Sequence, residues 1–230
     1  MYQDLLEQYN SLCENDKKVL LIYKSRLFKY INDYNNILCD KELYKKYEKQ
    51  YELDKKIICS LENKFIRYSI FNDVNFESYD LFLKSINEIK ENINLIIGKI
   101  TLPQDSIVYR GTTVNNKSDI VNISKSDLIS TSLNLDETDN FYTYDGINVL
   151  YQISLKKETP CLVIPYSIKL YEVNGKDVLK ISENDSQNEI IVFKSEMDLS
   201  IKDTKYLEDD NLVVLKIETD LKKHNIKKTS

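Results

Sequence analysis

The chain has 230 residues, 42% hydrophobic and 30% charged, which fits a globular protein with one good core and a helical extension. A formal net charge of −5 weighs against broad, non-specific nucleic-acid binding, because such a field repels phosphate. Met1-Tyr2-Gln3-Asp4-Leu5 has no cationic stretch leading into an apolar one, and no apolar run approaches a membrane span, so neither a signal peptide nor a transmembrane segment is expected.

Elements follow in chain order. Leu5, Tyr9, Leu12, Val19, Leu20, Tyr23, Leu27, Tyr30, Ile31, Tyr34 and Leu38 recur mostly at three- and four-residue steps, which predicts helix. A second helical run follows Asp40, a suitable N-cap, through Leu43, Tyr47, Tyr51, Ile58, Leu61, Phe65 and Tyr68. Asn72 to Asn75 reads as a loop. The third helix carries Phe82, Leu83, Ile86, Ile89, Ile93, Ile96 and Ile97, and Gly98 stops it. The period then changes to that of strands: Ser106 to Arg110, Asp127 to Leu133, Ile147 to Leu155, Cys161 to Tyr166 and Glu189 to Phe193. Leu199 to Leu207 and Leu212 to Leu221 flank Glu208-Asp209-Asp210-Asn211, the composition of a hairpin turn. Helices first and strands afterwards is an α+β order, and residues 223–230 read as a frayed tail. The Tyr-rich helical stripes read as core, with a partner-binding surface as the alternative.

Cys13, Cys39, Cys59 and Cys161 are widely spaced with no CxxC, so reduced and mostly buried thiols are expected. The one histidine, His224, has no Cys near it, so neither a metal site nor a histidine triad is predicted. There is no P-loop and no GxGxxG. Basic charge comes almost wholly from Lys, the arginines being Arg26, Arg67 and Arg110. Arg110, between a β-type run and a glycine, therefore draws notice, since its rigid fork of donors is not replaced by Lys.

Three short pieces stand out: Tyr109-Arg110-Gly111-Thr112, Ser130-Thr131-Ser132, and Gln187-Asn188-Glu189 leading into Ile190-Ile191-Val192. Taken singly, each is an ordinary strand-end or turn sequence. A second Gln-x-Glu, Gln50-Tyr51-Glu52, lies in the helical region and precedes Arg110, so only the ordered set carries meaning. In that order, from about Phe76 to Leu221, the chain resembles mono-ADP-ribosyltransferases of the Arg / Ser-Thr-Ser / Gln-x-Glu class. These include clostridial Rho-modifying exoenzymes and the enzymatic components of actin-modifying binary toxins.

The resemblance implies an ADP-ribosyltransferase-like core of two packed, mainly antiparallel sheets with an NAD-binding cleft. Residues 76–222 would form that core, and residues 1–75 a helical region possibly integral to it. It implies NAD+ as co-substrate, no metal, and transfer of ADP-ribose to a macromolecule with release of nicotinamide. Glu189 would be the catalytic carboxylate, placed at a ribose 2′-hydroxyl to stabilise positive charge on the sugar as it develops. Ser130 would hold that carboxylate, and Gln187, neutral and unable to act as a base, would orient the acceptor. Arg110 would contact an NAD+ phosphate or ribose. Gly111 would allow close backbone approach to nicotinamide. Thr131 and Ser132 would support the ribose site, with Tyr109 and Phe141 beside the cofactor. Gln-x-Glu members include modifiers of protein Asn or Gln and some of DNA guanine, and the acidic charge favours a protein acceptor over a nucleic acid. The expected location is a cytoplasm, or a host cytosol reached by delivery.

Two departures from the family pattern bear on this. The loop from Asn134 to Gly146 holds Phe141, Tyr142 and Tyr144 but no Arg, leaving Lys156 or Lys157 to substitute. Lys180 to Ser186 lacks the aromatic that related enzymes place before the Gln. An NAD+ glycohydrolase, and an inactive binding protein on the same fold, are the alternatives.

Overall fold

A computed structural model describes residues 1–60, 71–123, 127–143, 145–173, 176–183, 189–207 and 211–222, with backbone alone for Arg26, Ser60, 166–173 and 176–183. The expected loop after the second helix and the third helix fall among these. Phe65, Tyr68, Tyr144, Gln187 and the tail 223–230 lie outside the described residues. Helices come first and strands afterwards, the α+β order expected from the sequence. The chain divides into two compact units. One comprises Met1–Leu6, Gly98–Val163 and Ser186–Ser230; the other comprises Glu7–Ile97 and Ile164–Asp185.

The helical unit draws on α1 (Tyr2–Ser11), α2 (Glu14–Ile22), α3 (Phe28–Cys39), α4 (Lys41–Ser60) and α5 (Tyr79–Ile96). The expected run from Leu5 to Leu38 is thus three helices. Between α2 and α3 a wide turn, Tyr23–Leu27, contains Ser25 in an extended conformation (φ −70°, ψ −174°). Ser25 Oγ donates to Ile22 O at 2.5 Å and accepts from Leu27 N at 3.3 Å. A side chain bonding its own backbone this way interrupts a helix that the apolar spacing alone would continue. Asp40 caps α4, its Oδ1 accepting from Glu42 N and Leu43 N. Ser78 caps α5 through Leu81 N, and Gly98 at φ +84° follows its end.

The Tyr stripes form the centre of this unit. Tyr30, Tyr47, Tyr51, Tyr79 and Phe82 are buried. Ring centroids lie 4.9 Å apart for Tyr30–Phe82 and for Tyr51–Phe82. Tyr30 donates to Asp54 Oδ2 at 2.7 Å, and Lys29 Nζ sits 3.0 Å from the same oxygen, so the buried carboxylate is both bonded and paired. Burial, and then Asp54, push the Tyr30 phenol well above its ordinary range. An antiparallel pair, β5 (Tyr166–Val173) and β6 (Lys176–Glu183), belongs to the same unit.

The sheet unit holds β1 (Ser106–Val114), β2 (Leu128–Ser132), β3 (Ile147–Leu155), β4 (Cys161–Ile164), β7 (Glu189–Phe193), β8 (Met197–Leu207) and β9 (Leu212–Leu221). Their order is β4-β7-β2-β1-β3-β9-β8. β1–β2, β1–β3, β2–β7 and β8–β9 are antiparallel and β3–β9 is parallel. β1 and β3 stay in register from Ser106↔Leu155 to Val114↔Ile147, whereas β1 meets β2 at one pair, Tyr109↔Ser132. The ladder is therefore two leaves, β4-β7-β2 and β1-β3-β9-β8, joined at a point. Val108, Val149, Tyr151, Ile153, Val213, Leu215 and Ile217 are buried and share one face of the second leaf, the alternation expected of half-buried strands. The strand read as Cys161 to Tyr166 divides at Pro165, where β4 ends and β5 begins.

A short 3-10 segment, Leu135–Phe141, crosses β1 at Gly111. A Cβ on Gly111 would fall deep inside van der Waals contact of Thr138 O, so the missing side chain is what permits the crossing. Ser132 Oγ accepts from Asn134 N at 2.9 Å ahead of the segment, and Thr113 Oγ1 accepts from Thr143 N at 2.9 Å behind it.

The expectation of mostly buried thiols needs correction: Cys13 and Cys39 are exposed and Cys59 half-buried, while Cys161 is buried. Cys13 lies between α1 and α2, and Cys39 is the last residue of α3. Burial pushes the Cys161 thiol up to about 12.

Two measurements follow from this packing. Gly111→Ala should lower the unfolding free energy by about 1–3 kcal/mol, read as a lower urea midpoint, because Thr138 O belongs to backbone and cannot rotate away. An unchanged midpoint would contradict the crossing. In the folded protein at pH 8, a thiol-specific disulfide reagent should modify Cys13 and Cys39 promptly and Cys161 only after denaturation. Prompt native labelling of Cys161 would contradict its burial.

Candidate active site

Sequence places Ser130 in the middle of β2 and Glu189 at the first position of β7, and strand pairing brings them together. The register sets Ser132 opposite Glu189 and Ser130 opposite Ile191. Ser130 and Ser132 share a face by alternation, and register partners point the same way, so both hydroxyls lie on the Glu189 side. Ser130 Oγ donates to Glu189 Oε1 at 2.5 Å. A hydroxyl bonded to a carboxylate oxygen at this length is charge-assisted and fixes the rotamer of the acid. Glu189 is neither fully buried nor fully exposed, so its carboxylate is held yet reachable.

Arg110 adds the second link. It lies on β1 one residue past Tyr109, the single point of register with β2. Where that ladder stops, Arg110 Nη1 donates to Ser130 O at 2.9 Å. The side chain thus ties the two strands together just beyond their one backbone pair. Ser130 is gripped at its carbonyl by Arg110 and grips Glu189 with its hydroxyl. Tyr151, directly opposite Arg110 on β3, is fully buried and donates to Ile120 O at 2.9 Å. Burial raises the Tyr151 phenol, with Arg110 opposing that rise and Asp119 adding to it.

The other residues singled out by sequence fall in distinct places. Tyr109 is half-buried and registers with Ser132 on one side and Gln152 on the other, on the face of β1 opposite to Arg110. Thr131 is 4% exposed and donates to Ile190 O at 2.6 Å, so it braces the β2–β7 pair from the opposite face. Ser132, 9% exposed, uses its hydroxyl to receive Asn134 N. Gly111 lies under Thr138. Phe141 is 55% exposed at the end of the 3-10 segment. Gln187 lies outside the described residues.

Chemically, the set offers a permanently charged planar donor group bonded to Ser130 O, and a carboxylate, an acceptor of hydroxyl hydrogen bonds. That combination suits an anionic ligand carrying hydroxyl groups. Among the described residues no cluster of His, Cys, Asp and Glu is arranged to hold a metal ion. Sequence reasoning passed over Asp127, whose carboxylate receives both Ser195 N (2.5 Å) and Ser195 Oγ (2.8 Å).

No family model matches this sequence, and no curated protein matches it. Solved structures do resemble it. Vis toxin, an ADP-ribosyltransferase from Vibrio splendidus, is 12% identical over 96% of this chain and 80% of its own, with a TM-score of 0.49. Plx2a, an ADP-ribosyltransferase toxin from Paenibacillus larvae, is 13% identical over 96% and 92%, with a TM-score of 0.48. The C3 exoenzyme of Clostridium limosum is 13% identical over 95% and 90%, with a TM-score of 0.45. The chain is similar to ADP-ribosyltransferase toxins at low identity, and what it does has to be read from its own residues.

Proposed function

We propose that this protein is an NAD+-dependent mono-ADP-ribosyltransferase that transfers ADP-ribose to a macromolecular acceptor, with release of nicotinamide. The observation that supports this most is the bond from Ser130 Oγ to Glu189 Oε1, with Arg110 holding the Ser130 carbonyl. Sequence order and spatial order agree: three pieces separated by 20 and 59 residues form one chain of bonds.

The residues present fit NAD+ by the chemistry of their donor set. Arg110 supplies a cation for the diphosphate, and Glu189 an anion for the ribose bearing nicotinamide. When bound, NAD+ supplies the glycosidic bond that breaks. Glu189 accepts from the ribose 2′-hydroxyl and stabilises the positive charge that grows on that sugar, as a glycosidase carboxylate does. Ser130 keeps the carboxylate in one rotamer, so no reorientation is needed during bond breaking. Tyr109, Ser132 and Phe141 are assigned to the walls around the cofactor, with Gly111 and Thr131 supporting them. Gln187 is assigned to orient the acceptor. The catalytic body would span residues 76–222.

A protein acceptor is favoured by the net charge of −5, which repels nucleic acid. The setting proposed is a cytosol, the chain's own or a host's. Among the described residues no helix is long and apolar enough to cross a membrane. One sequence feature favours a second reading. Lys180 to Ser186 has no aromatic to engage a protein target, as expected of an NAD+ glycohydrolase with water as acceptor.

The test is nicotinamide release by purified protein. Wild type should release it, and Glu189→Gln should lose on the order of 10²-fold or more in rate. Full activity in Glu189→Gln would remove the assigned role. Labelled NAD+ added with cell lysate separates the two readings: label on macromolecules supports transfer, and label in free ADP-ribose alone supports hydrolysis.

A further inference from the structure

We propose that Asp127 is a positioning residue, clamping Ser195 across the far end of the β2–β7 ladder and so fixing the register that sets Glu189 beside Ser130. This rests on the reading of Glu189 as the reacting carboxylate.

The need for such a clamp comes from the sequence of β7. Register is well specified when one face of a strand is apolar and the other polar, because a one-residue slip exposes the wrong set. β7 reads Glu-Ile-Ile-Val-Phe, and Ile190, Ile191, Val192 and Phe193 are all fully buried. Both faces are therefore apolar. A slip by one residue trades isoleucine for isoleucine or valine in the middle of β7, and its cost falls at the two ends, where Glu189 or Lys194 would enter a buried position. It would also turn Glu189 to the other face, away from Ser130. A slip by two would keep the face and move the carboxylate about 6.6 Å along the strand. The apolar middle of β7 does not itself set the register, which is left to the residues and bonds at its two ends.

Those bonds sit at both ends of the ladder. Near Glu189 they are Ser130 Oγ to Glu189 and Thr131 Oγ1 to Ile190 O. At the other end, Leu128 registers with Phe193, and Asp127 stands just outside that pair. There Lys194 N donates to Asp127 O at 2.8 Å, Ser195 N to Asp127 Oδ1 at 2.5 Å, and Ser195 Oγ to Asp127 Oδ2 at 2.8 Å. Two bonds to one carboxylate are charge-assisted and directional. A slipped strand would offer Asp127 either Lys194, with an ammonium on a long flexible stem in place of the paired N–H and O–H of Ser195, or Glu196, whose carboxylate repels it. The clamp is thus selective for one register, and Glu189 lies roughly 13 Å along β7 from the end that it secures.

The test uses the full chain with Asp127→Ala, Asp127→Asn and Ser195→Ala, and two readouts. One is kcat and KM for nicotinamide release. The other is the NMR pattern of cross-strand contacts between β2 and β7. Asp127→Ala should lower kcat roughly 10- to 100-fold while KM for NAD+ stays within about twofold, since the carboxylate is misplaced and the site otherwise kept. Asp127→Asn, which retains an oxygen for Ser195 N, should recover most of the rate. The contacts pairing Ser130 with Ile191 and Ser132 with Glu189 should weaken in Asp127→Ala and persist in Asp127→Asn. If Asp127→Ala does not fold, Ser195→Ala, lacking one of the three bonds, carries the same comparison. Unchanged contacts and unchanged kcat would overturn the proposal. If the wild type releases no nicotinamide, the NAD+ reading fails, and the contact pattern alone decides the clamp: altered pairing supports it and native pairing overturns it.

Discussion

A hydrogen bond of 2.5 Å from Ser130 Oγ to Glu189 Oε1 joins the middle of one strand to the first residue of another, 59 positions later in the chain. Its existence depends on strand order, since β7 pairs with β2 although β3 to β6 intervene in sequence. It depends on register, because Ser132 opposite Glu189 places Ser130 on the same face. It depends also on the joint between the leaves, where Arg110 holds the Ser130 carbonyl at 2.9 Å beyond the single β1–β2 pair. A short, charge-assisted bond of this kind holds a carboxylate rigidly.

Around that bond the chain spends its special residues economically. Gly111 lets a 3-10 segment cross β1 without a gap, and Thr138 fills the space. Ser132 and Thr113 fix the two ends of that crossing. Thr131 braces β7 from the far face. The helical unit is organised differently, around aromatic rings and one buried, paired carboxylate, Asp54. Of the tyrosines that made a partner surface conceivable, Tyr9, Tyr23, Tyr30, Tyr47 and Tyr51 are buried and Tyr34 is half-buried.

The legible parts were those set by local physics. Period change marked where helices give way to strands, and β3, β7 and β9 have the limits read from the sequence, β7 as a continuous apolar run. Asp40 and Gly98 marked helix ends through capping and positive φ. The break at Ser25 was not legible, because a serine bonding its own backbone leaves the apolar spacing intact. The β5–β6 pair was missed although Asn174-Gly175 stands between two alternating runs, a strong hairpin signal masked by the more apolar run that begins at Cys161. At the site, the ordered motifs brought Arg110, Ser130 and Glu189 to notice. The bond from Arg110 to a backbone carbonyl and the Asp127 clamp were beyond reach, since both depend on which strands become neighbours. Exposure of Cys13 and Cys39 was likewise invisible, because a cysteine at a helix end looks like one in a core until the chain turns.

The most direct measurement is a double-mutant cycle on nicotinamide release with Ser130→Ala, Glu189→Gln and the pair together. If Ser130 works by holding Glu189, its removal should slow the wild type about tenfold or more and slow the Glu189→Gln protein hardly at all. Equal, additive losses in the two backgrounds would contradict the claim that these residues act as one unit.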